Sequence, residues 1–298
     1  MNKLFTKVVI PINCKLGEGL SWDANRNGFW FVDILSHDLY FYNLDKLKVL
    51  KRSFNEPIGW AIPINNTDIV LIGLKSGIAK IRYFDFNESL EWVNKEFPGH
   101  KDLRLNDAKM DKFGCLWFGS ISSIDETLPV GSLARLNLEN NKLDIIDSNY
   151  KVTNGPAFNF DNSIMLHNDS GNRITYKFQL DRSNGEVIKK EIWKVYNENQ
   201  GYPDGMNFDS QNNVWIAHWG VGKVCKYNID GDLLEEIEFP TPNITNICFG
   251  GKDLNRIFVT SAYRNFDNTN DFNPEFDGVV FEIVGSNSFG IKSHKPKL

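Results

Sequence analysis

The stretch GYPDGMNFDSQNNVWIAHWG, residues 201–220, decides the fold. Asp204 stands between Pro203 and Gly205, and a short apolar run follows it. The polar segment DSQNN then interrupts, and a second apolar run, VWIAHW, leads to Gly220. Two short runs rich in aromatic and β-branched residues, joined by Asp, Ser and Asn, read as a pair of antiparallel strands with a tight turn.

The same pattern recurs along the chain. EGLSWD begins at Glu18, GWAIPI at Gly59, NDAKMD at Asn106, NGPAFN at Asn154 and TNICFG at Thr245, beside DGMNFD at Asp204. A second run follows each after a turn: GFWFVD, DIVLIG, GCLWFGS, SIMLHND, NVWIAHWG and RIFVTSA. A third run comes after most of these, as in DLYFYNL, GIAKIRY and GSLARLNL. Units of three or four strands at a period of roughly 40–50 residues are the signature of propeller blades. Six such units fill the chain, so residues 1–298 are expected to form one all-β domain, a six-bladed β-propeller with four-stranded antiparallel blades around a central channel. A β-sandwich supplies many strands but gives no reason for sixfold repetition. The N-terminal run TKVVIPI is expected to complete the blade made by the C-terminal segment, which leaves the ring no open edge.

Composition narrows the partners. The formal net charge is −5, which argues against nucleic acid or an anionic membrane, since both call for a basic face. No run of about 18 apolar residues is present, and the N-terminus carries no apolar leader. Cys14, Cys115, Cys225 and Cys248 form no CxxC or Cys/His pattern and read as buried free thiols. The chain is read as a cytoplasmic monomer acting on a small molecule.

The repeat register then points to chemistry. The first strand of each blade lines the channel, so residues at one register meet near the axis. Glu18, Asn106, Asn154 and Asp204 share that register, and Gly59 and Thr245 complete it. Carboxylates crowded into a confined site repel one another, and unpaired buried polar groups are costly. A bound divalent cation answers both problems. An all-oxygen donor set suits Ca²⁺, Mg²⁺ or Mn²⁺, with Zn²⁺ or Fe²⁺ less expected from the ligands. Asp23, Asp111, Asn159 and Asp209, five residues further on, read as turn formers. The second strand of each blade returns to the same mouth and brings Asp33, Ser120, Asp169, His218, Trp219 and Ser261 there. Of these, His218 and Trp219 are candidate substrate-binding residues. Arg104, two before Asn106 on a strand, points to the same side and is placed to meet a substrate oxygen.

With these residues in view the chain resembles the senescence-marker-protein/gluconolactonase family, the regucalcin-like sugar lactonases of bacterial type. The resemblance rests on LGEGLSWD around Glu18, RLNDAKMDKFGCLWFGS, TNGPAFNFDNSIMLHNDS and GYPDGMNFDSQNNVWIAHWG, in that order over nearly the whole chain. The terminal GIKSHKPKL is similar to the short basic tail of bacterial members. The resemblance implies one divalent cation at the channel mouth, held by Glu18, Asn154 and Asp204. Asn106 would lie close to it, bound directly or through water and substrate, and Arg104 would contact substrate. The implied reaction is opening of an aldonolactone, a pentono- or hexonolactone, to the aldonic acid. One departure stands out: ISSIDETLPVGSL lacks the acidic residue some members place earlier, although Asp125 and Glu126 follow within a few residues.

A lactone is an ester, and no GxSxG elbow or Ser–His–Asp set offers a nucleophile. The expected mechanism is cation-assisted, with Asp204 as general base and Arg104 and Asn106 orienting the ring. Two other readings stay open. One is a different cation-dependent esterase, such as a phosphotriesterase, on the same propeller. The other is a non-catalytic cation-binding protein. The segment NFDNTNDFNPEFDG, residues 265–278, follows Ser261 near the mouth and reads as a lid or, as its composition favours, a loose surface connection.

Overall fold

The computed structural model describes residues 4–83, 89–95, 97, 101–263, 272–294 and 296. Six four-stranded antiparallel sheets stand around a central axis. The inner strands, in order, are Gly17–Asp23, Ile58–Pro63, Leu103–Met110, Thr153–Phe158, Tyr202–Phe208 and Ile244–Gly250. Five blades run up and down in chain order. The sixth takes its outermost strand from the other end of the chain, Phe5–Ile10, paired with Val280–Val284. The ring is therefore closed by hydrogen bonds between its first and last segments, as the TKVVIPI run implied.

Hydrophobic burial explains why these runs are strands. Each blade packs both faces against its neighbours, so a middle strand such as Gly28–Asp33 is buried along its whole length. An outer strand such as Lys48–Ser53 has lost one neighbour and mixes exposed with half-buried positions. Six apolar clusters fill the junctions between successive blades. One joins Trp117 and Leu133 of the third blade to Met165 and Phe178 of the fourth. Another closes the ring by packing Phe258 of the sixth blade on Phe29 of the first, ring centres 4.6 Å apart. All four cysteines are free and buried, and burial raises the Cys248 thiol to about 12.

The turn formers do more than turn. Asp209 Oδ1 accepts the backbone N–H groups of Gln211 and Asn213, and its Oδ2 accepts the indole N–H of Trp215 at 3.1 Å. Asp111 repeats this with Phe113, Cys115 and Trp117, and Asp23 with Asn25, Arg26 and Trp30. A buried carboxylate tolerates its site only when hydrogen-bonded or paired. Here a cation completes each set: Lys226 for Asp209, Arg135 for Asp111 and Arg26 for Asp23.

All six inner strands carry a bulge near the start. In the third blade Asn106 and Asp107 together stand opposite Gly119 alone, between the pairs Leu105↔Ser120 and Ala108↔Phe118. In the fifth, Asp204 and Gly205 stand between Pro203↔His218 and Met206↔Ile216. An extra residue bends the strand and re-aims its side chains. This is the feature that builds the site.

The far end of the channel is crossed by the C-terminal segment. Gly290 bridges to Asp209 and donates its N–H to Leu254 O, Ser210 N–H donates to Phe289 O, and His294 Nε2 lies 3.1 Å from Asn162 Nδ2. Ile291 and His294 wall the base of a cavity of about 30 Å³ whose upper lining includes Gly19 and Asp107. Of the 265–278 connection, residues 265–271 lie outside the described residues. Its remainder is tied down: Asn13 Nδ2 donates to Pro274 O and Asp277 O, and Thr241 Oγ1 donates to Asp277 Oδ1 at 2.6 Å.

Candidate active site

The inner-strand bulges bring Glu18, Asp107, Asp204 and Asn246 together at the axis, all buried. Asn246 Nδ2 donates to Glu18 Oε2 at 2.9 Å and lies 3.4 Å from Asp107 Oδ2. Asp107 Oδ2 also accepts the Gly155 N–H at 3.1 Å, and Glu18 Oε2 the Gly19 N–H at 3.0 Å. Glu18 and Asp204 lie close enough for each carboxyl group to shift the other. Among the described residues, Asp204 Oδ1 is buried with no hydrogen-bond partner.

The electrostatics follow from that crowding. Burial, then the charge of Asp107, raises the Glu18 carboxyl to about 7 against the hydrogen bonds from Asn246 and Gly19. Burial also raises Asp107, and burial together with Glu18 raises Asp204 well above the ordinary carboxylate range. Carboxyl groups crowded in low dielectric resist ionising together, which is why all three are raised.

A second group sits beside the first. Arg104 Nη1 donates to Asn106 Oδ1 at 2.6 Å. Asn106 Nδ2 donates to Thr153 O at 2.6 Å and to Asn154 Oδ1 at 2.8 Å. Asn154 Nδ2 donates to Ser170 Oγ at 2.9 Å, and Ser170 Oγ–H donates to Pro203 O, the carbonyl before Asp204. The two groups meet where Gly155 N–H reaches Asp107 and where Pro203 leads into Asp204. At the rim, Glu126 Oε1 lies 3.4 Å from Arg104 Nη2. Asp125 does not share that role, because its Oδ1 is taken up by Thr127 N–H and Thr127 Oγ1–H.

Two glycines, Gly59 at the register and Gly205 one residue past it, contribute backbone only. A Cβ on Gly59 would stand 2.5 Å from Leu105 O, so blade two has no room for a side chain there. A Cβ on Gly205 would stand 2.4 Å from Asn246 Cγ, so glycine after Asp204 lets Asn246 reach the axis.

The other residues expected at the mouth are placed differently. Asp33 accepts the Lys15 and Leu16 N–H groups and Asp169 those of Lys151 and Val152, so both anchor the segments entering their blades. Ser261 donates to Val279 O, and Ser120 Oγ accepts the Ser132 N–H. His218 is turned into its own blade. Its Nδ1 lies 2.7 Å from Gln200 O, a group that only accepts, so Nδ1 carries the hydrogen. Its Nε2 then accepts from Tyr227 Oη at 3.3 Å, and burial lowers the imidazole to about 4. Both nitrogens are thus engaged with the fold, which corrects the expectation of a ring offered to substrate. Trp219, half-buried, packs on a cluster containing Leu16, Ile34 and Ala262 and bridges to Asn243.

Asp107, Asn246 and Ser170 were not among the residues singled out in the sequence. In a regular strand neighbours point to opposite faces, so an inward Asn106 implies an outward Asp107. The bulge breaks that alternation. The available signal was the pair at each register: Glu18-Gly19, Asn106-Asp107, Asp204-Gly205 and Thr245-Asn246 each join a polar residue to a small or polar one.

No three His, Cys, Asp or Glu side chains among the described residues group tightly enough to hold a metal alone. A cation site here would have to draw on carboxamide oxygens. The chemistry present fits that need: an unpartnered carboxyl oxygen on Asp204, crowded acids and an aligned amide on Asn154.

Comparisons with known proteins agree with this geometry. Residues 16–263 match the family described as SMP-30/Gluconolactonase/LRE-like region. The chain is 28% identical to 6-deoxy-6-sulfogluconolactonase of Pseudomonas putida over 260 residues, 87% of each protein. It is 27% identical to pentonolactonase XacC of Haloferax volcanii over 255 residues, 85% of this chain and 84% of that protein. The solved structure of a luciferin-regenerating enzyme superposes with a TM-score of 0.91 at 27% identity, covering 99% of this chain and 100% of that one. By its blades, its axial carboxyl and amide groups and these matches, the chain belongs to the SMP-30/gluconolactonase/LRE-like family.

Proposed function

We propose that this protein is a divalent-cation-dependent sugar lactonase that opens a pentono- or hexonolactone to the aldonic acid. The observation that carries the reading is the buried, unpartnered Oδ1 of Asp204 at an axis crowded with Glu18 and Asp107. Glu18, Asn154 and Asp204 would hold the cation, and their oxygen donors suit Ca²⁺, Mg²⁺ or Mn²⁺ best, with Zn²⁺ or Fe²⁺ as further candidates. When bound, the cation supplies positive charge that polarises a lactone carbonyl and makes water more acidic. Asp204, ionised once positive charge is near, accepts the proton of the attacking water through one oxygen. Arg104 would meet the ring oxygens and the developing negative charge. Asn106, whose two N–H groups are taken by Thr153 O and Asn154 Oδ1, would orient the ring by accepting a sugar hydroxyl at its Oδ1. Glu126, paired with the Arg104 guanidinium at 3.4 Å, would help to hold it at the rim. This rim of charged and amide groups favours a small polyhydroxylated substrate over an apolar ester. The named relatives, a sulfogluconolactonase and a pentonolactonase, support the same substrate class.

The test is acid release from a panel of pentono- and hexonolactones after chelation and again after adding each cation. Lactone-selective hydrolysis restored by a cation is expected. Hydrolysis indifferent to chelation, or restricted to aryl or phosphate esters, would overturn the reading.

A further inference from the structure

The contacts between Arg104 and Pro203 form a chain whose direction is fixed at both ends. A guanidinium only donates, so the Asn106 atom 2.6 Å from Arg104 Nη1 is its oxygen. The NH₂ of Asn106 therefore faces Thr153 O and Asn154, and the Asn154 atom 2.8 Å away accepts, so it is Oδ1. At the other end Pro203 O only accepts. It takes the single proton of the Ser170 hydroxyl, which leaves Ser170 a lone pair to offer. The Asn154 atom 2.9 Å from that lone pair must be its NH₂. Four hydrogen bonds thus run one way, Arg104 to Asn106 to Asn154 to Ser170 to Pro203, across three blades.

We infer that Ser170 is a positioning residue that sets the amide of Asn154, turning its carbonyl oxygen toward the cation site and its NH₂ away. This rests on the reading of Asn154 as a cation ligand. An amide has one donor end and one acceptor end, and only the oxygen binds a hard cation. Without the hydroxyl, the buried NH₂ of Asn154 has no acceptor at its back. The N–H of Asn106 is then left, among the described residues, as the one restraint that keeps the amide from flipping its NH₂ toward the cation. Partners behind metal ligands commonly govern affinity by roughly 10–100-fold. The same hydroxyl ties the fourth blade to the carbonyl preceding Asp204, so one group orients one ligand and braces another.

The test uses the full chain with Mn²⁺ alone as probe, reading free Mn²⁺ by electron paramagnetic resonance, with thermal unfolding of the cation-free protein as control. Ser170→Ala is expected to weaken Mn²⁺ binding roughly tenfold or more, and Ser170→Thr, which keeps the hydroxyl, to restore most of it. In an Asn154→Asp background, where both ends of the side chain are oxygen, removing the hydroxyl is expected to cost at most about a third of that factor. A purely structural role predicts equal losses in both backgrounds and no rescue by threonine. If Ser170→Ala does not fold, Ser170→Cys, of similar size but a poor acceptor, gives the same reading. Tight Mn²⁺ binding by wild type with unchanged binding by the variants overturns the inference alone. No Mn²⁺ binding by wild type overturns the cation site and the inference with it.

Discussion

The buried carboxyl groups of Glu18 and Asp204 act on each other at the axis of the ring: burial raises both, and the charge of Glu18 raises Asp204 further. Stability should therefore depend on pH in a definite sense. Glu18 has an ordinary value of 4.5 when exposed and about 7 when folded, so between these limits the folded state binds more protons. Linkage then makes stability fall as pH rises. The contribution is fully present below about pH 4.5 and is lost as pH passes through about 7. Asp204, raised in the same direction, extends the loss upward. The cation-free protein is expected to unfold at lower temperature at pH 8 than at pH 6. Added Mn²⁺ or Ca²⁺ should reverse the trend, because cation binding displaces these protons. Melting curves at several pH values, with and without cation, check both halves.

Asp204→Ala is expected to remove activity and weaken cation binding together, since on the proposed reading one side chain serves as base and ligand. Loss of a general base alone costs about 10²–10⁴-fold in rate. Turnover at near wild-type level would leave the base assignment untenable.

The Arg104–Glu126 pair should divide into two effects. Arg104 is buried and donates a charged hydrogen bond to Asn106, and such bonds are worth about 1.5–3 kcal/mol. Arg104→Ala is accordingly expected to lower kcat/KM by roughly tenfold to a hundredfold or more. Glu126 is partly exposed at the rim, so Glu126→Gln should raise KM several-fold and leave the melting temperature within a degree or two. Steady-state kinetics beside melting curves separate the two.

Away from the site, Asp209 collects the Trp215 indole, two turn N–H groups and the Lys226 ammonium. Asp209→Ala strands all of them, and removing one partner of a buried pair costs about 3–5 kcal/mol. Chemical denaturation is expected to show that loss. Per-molecule activity of the protein that remains folded should change little.

Much of this was legible in the chain because a propeller writes its architecture as repetition. EGLSWD, NDAKMD and DGMNFD align by eye, and their alignment names Glu18, Asn106 and Asp204 without coordinates. What stayed hidden has a common cause. Asp107 and Asn246 reach the axis through bulges, and a bulge is a break in alternation that a period-two reading assigns to the wrong face. His218 was misjudged for the opposite reason. Its place at a strand end is correct, but Gln200 O and Tyr227 Oη turn the ring inward, and neither partner is near it in the repeat register. Ser170 lies beyond the second strand of its blade, in a short turn, and its hydroxyl reaches Pro203 O in the next blade, which repeat alignment does not pair.

The C-terminal strap makes the ring a cup and not a pipe. With Ile291 and His294 across the base, the cavity that reaches up to Asp107 has a floor. Whatever arrives at the floor of a cup leaves past the next arrival. On the proposed lactonase reading, lactone and acid would share one doorway under the Arg104 guanidinium, which would attract the product more strongly than the neutral substrate. Departure of the acid, and not ring opening, would then set the pace as product accumulates.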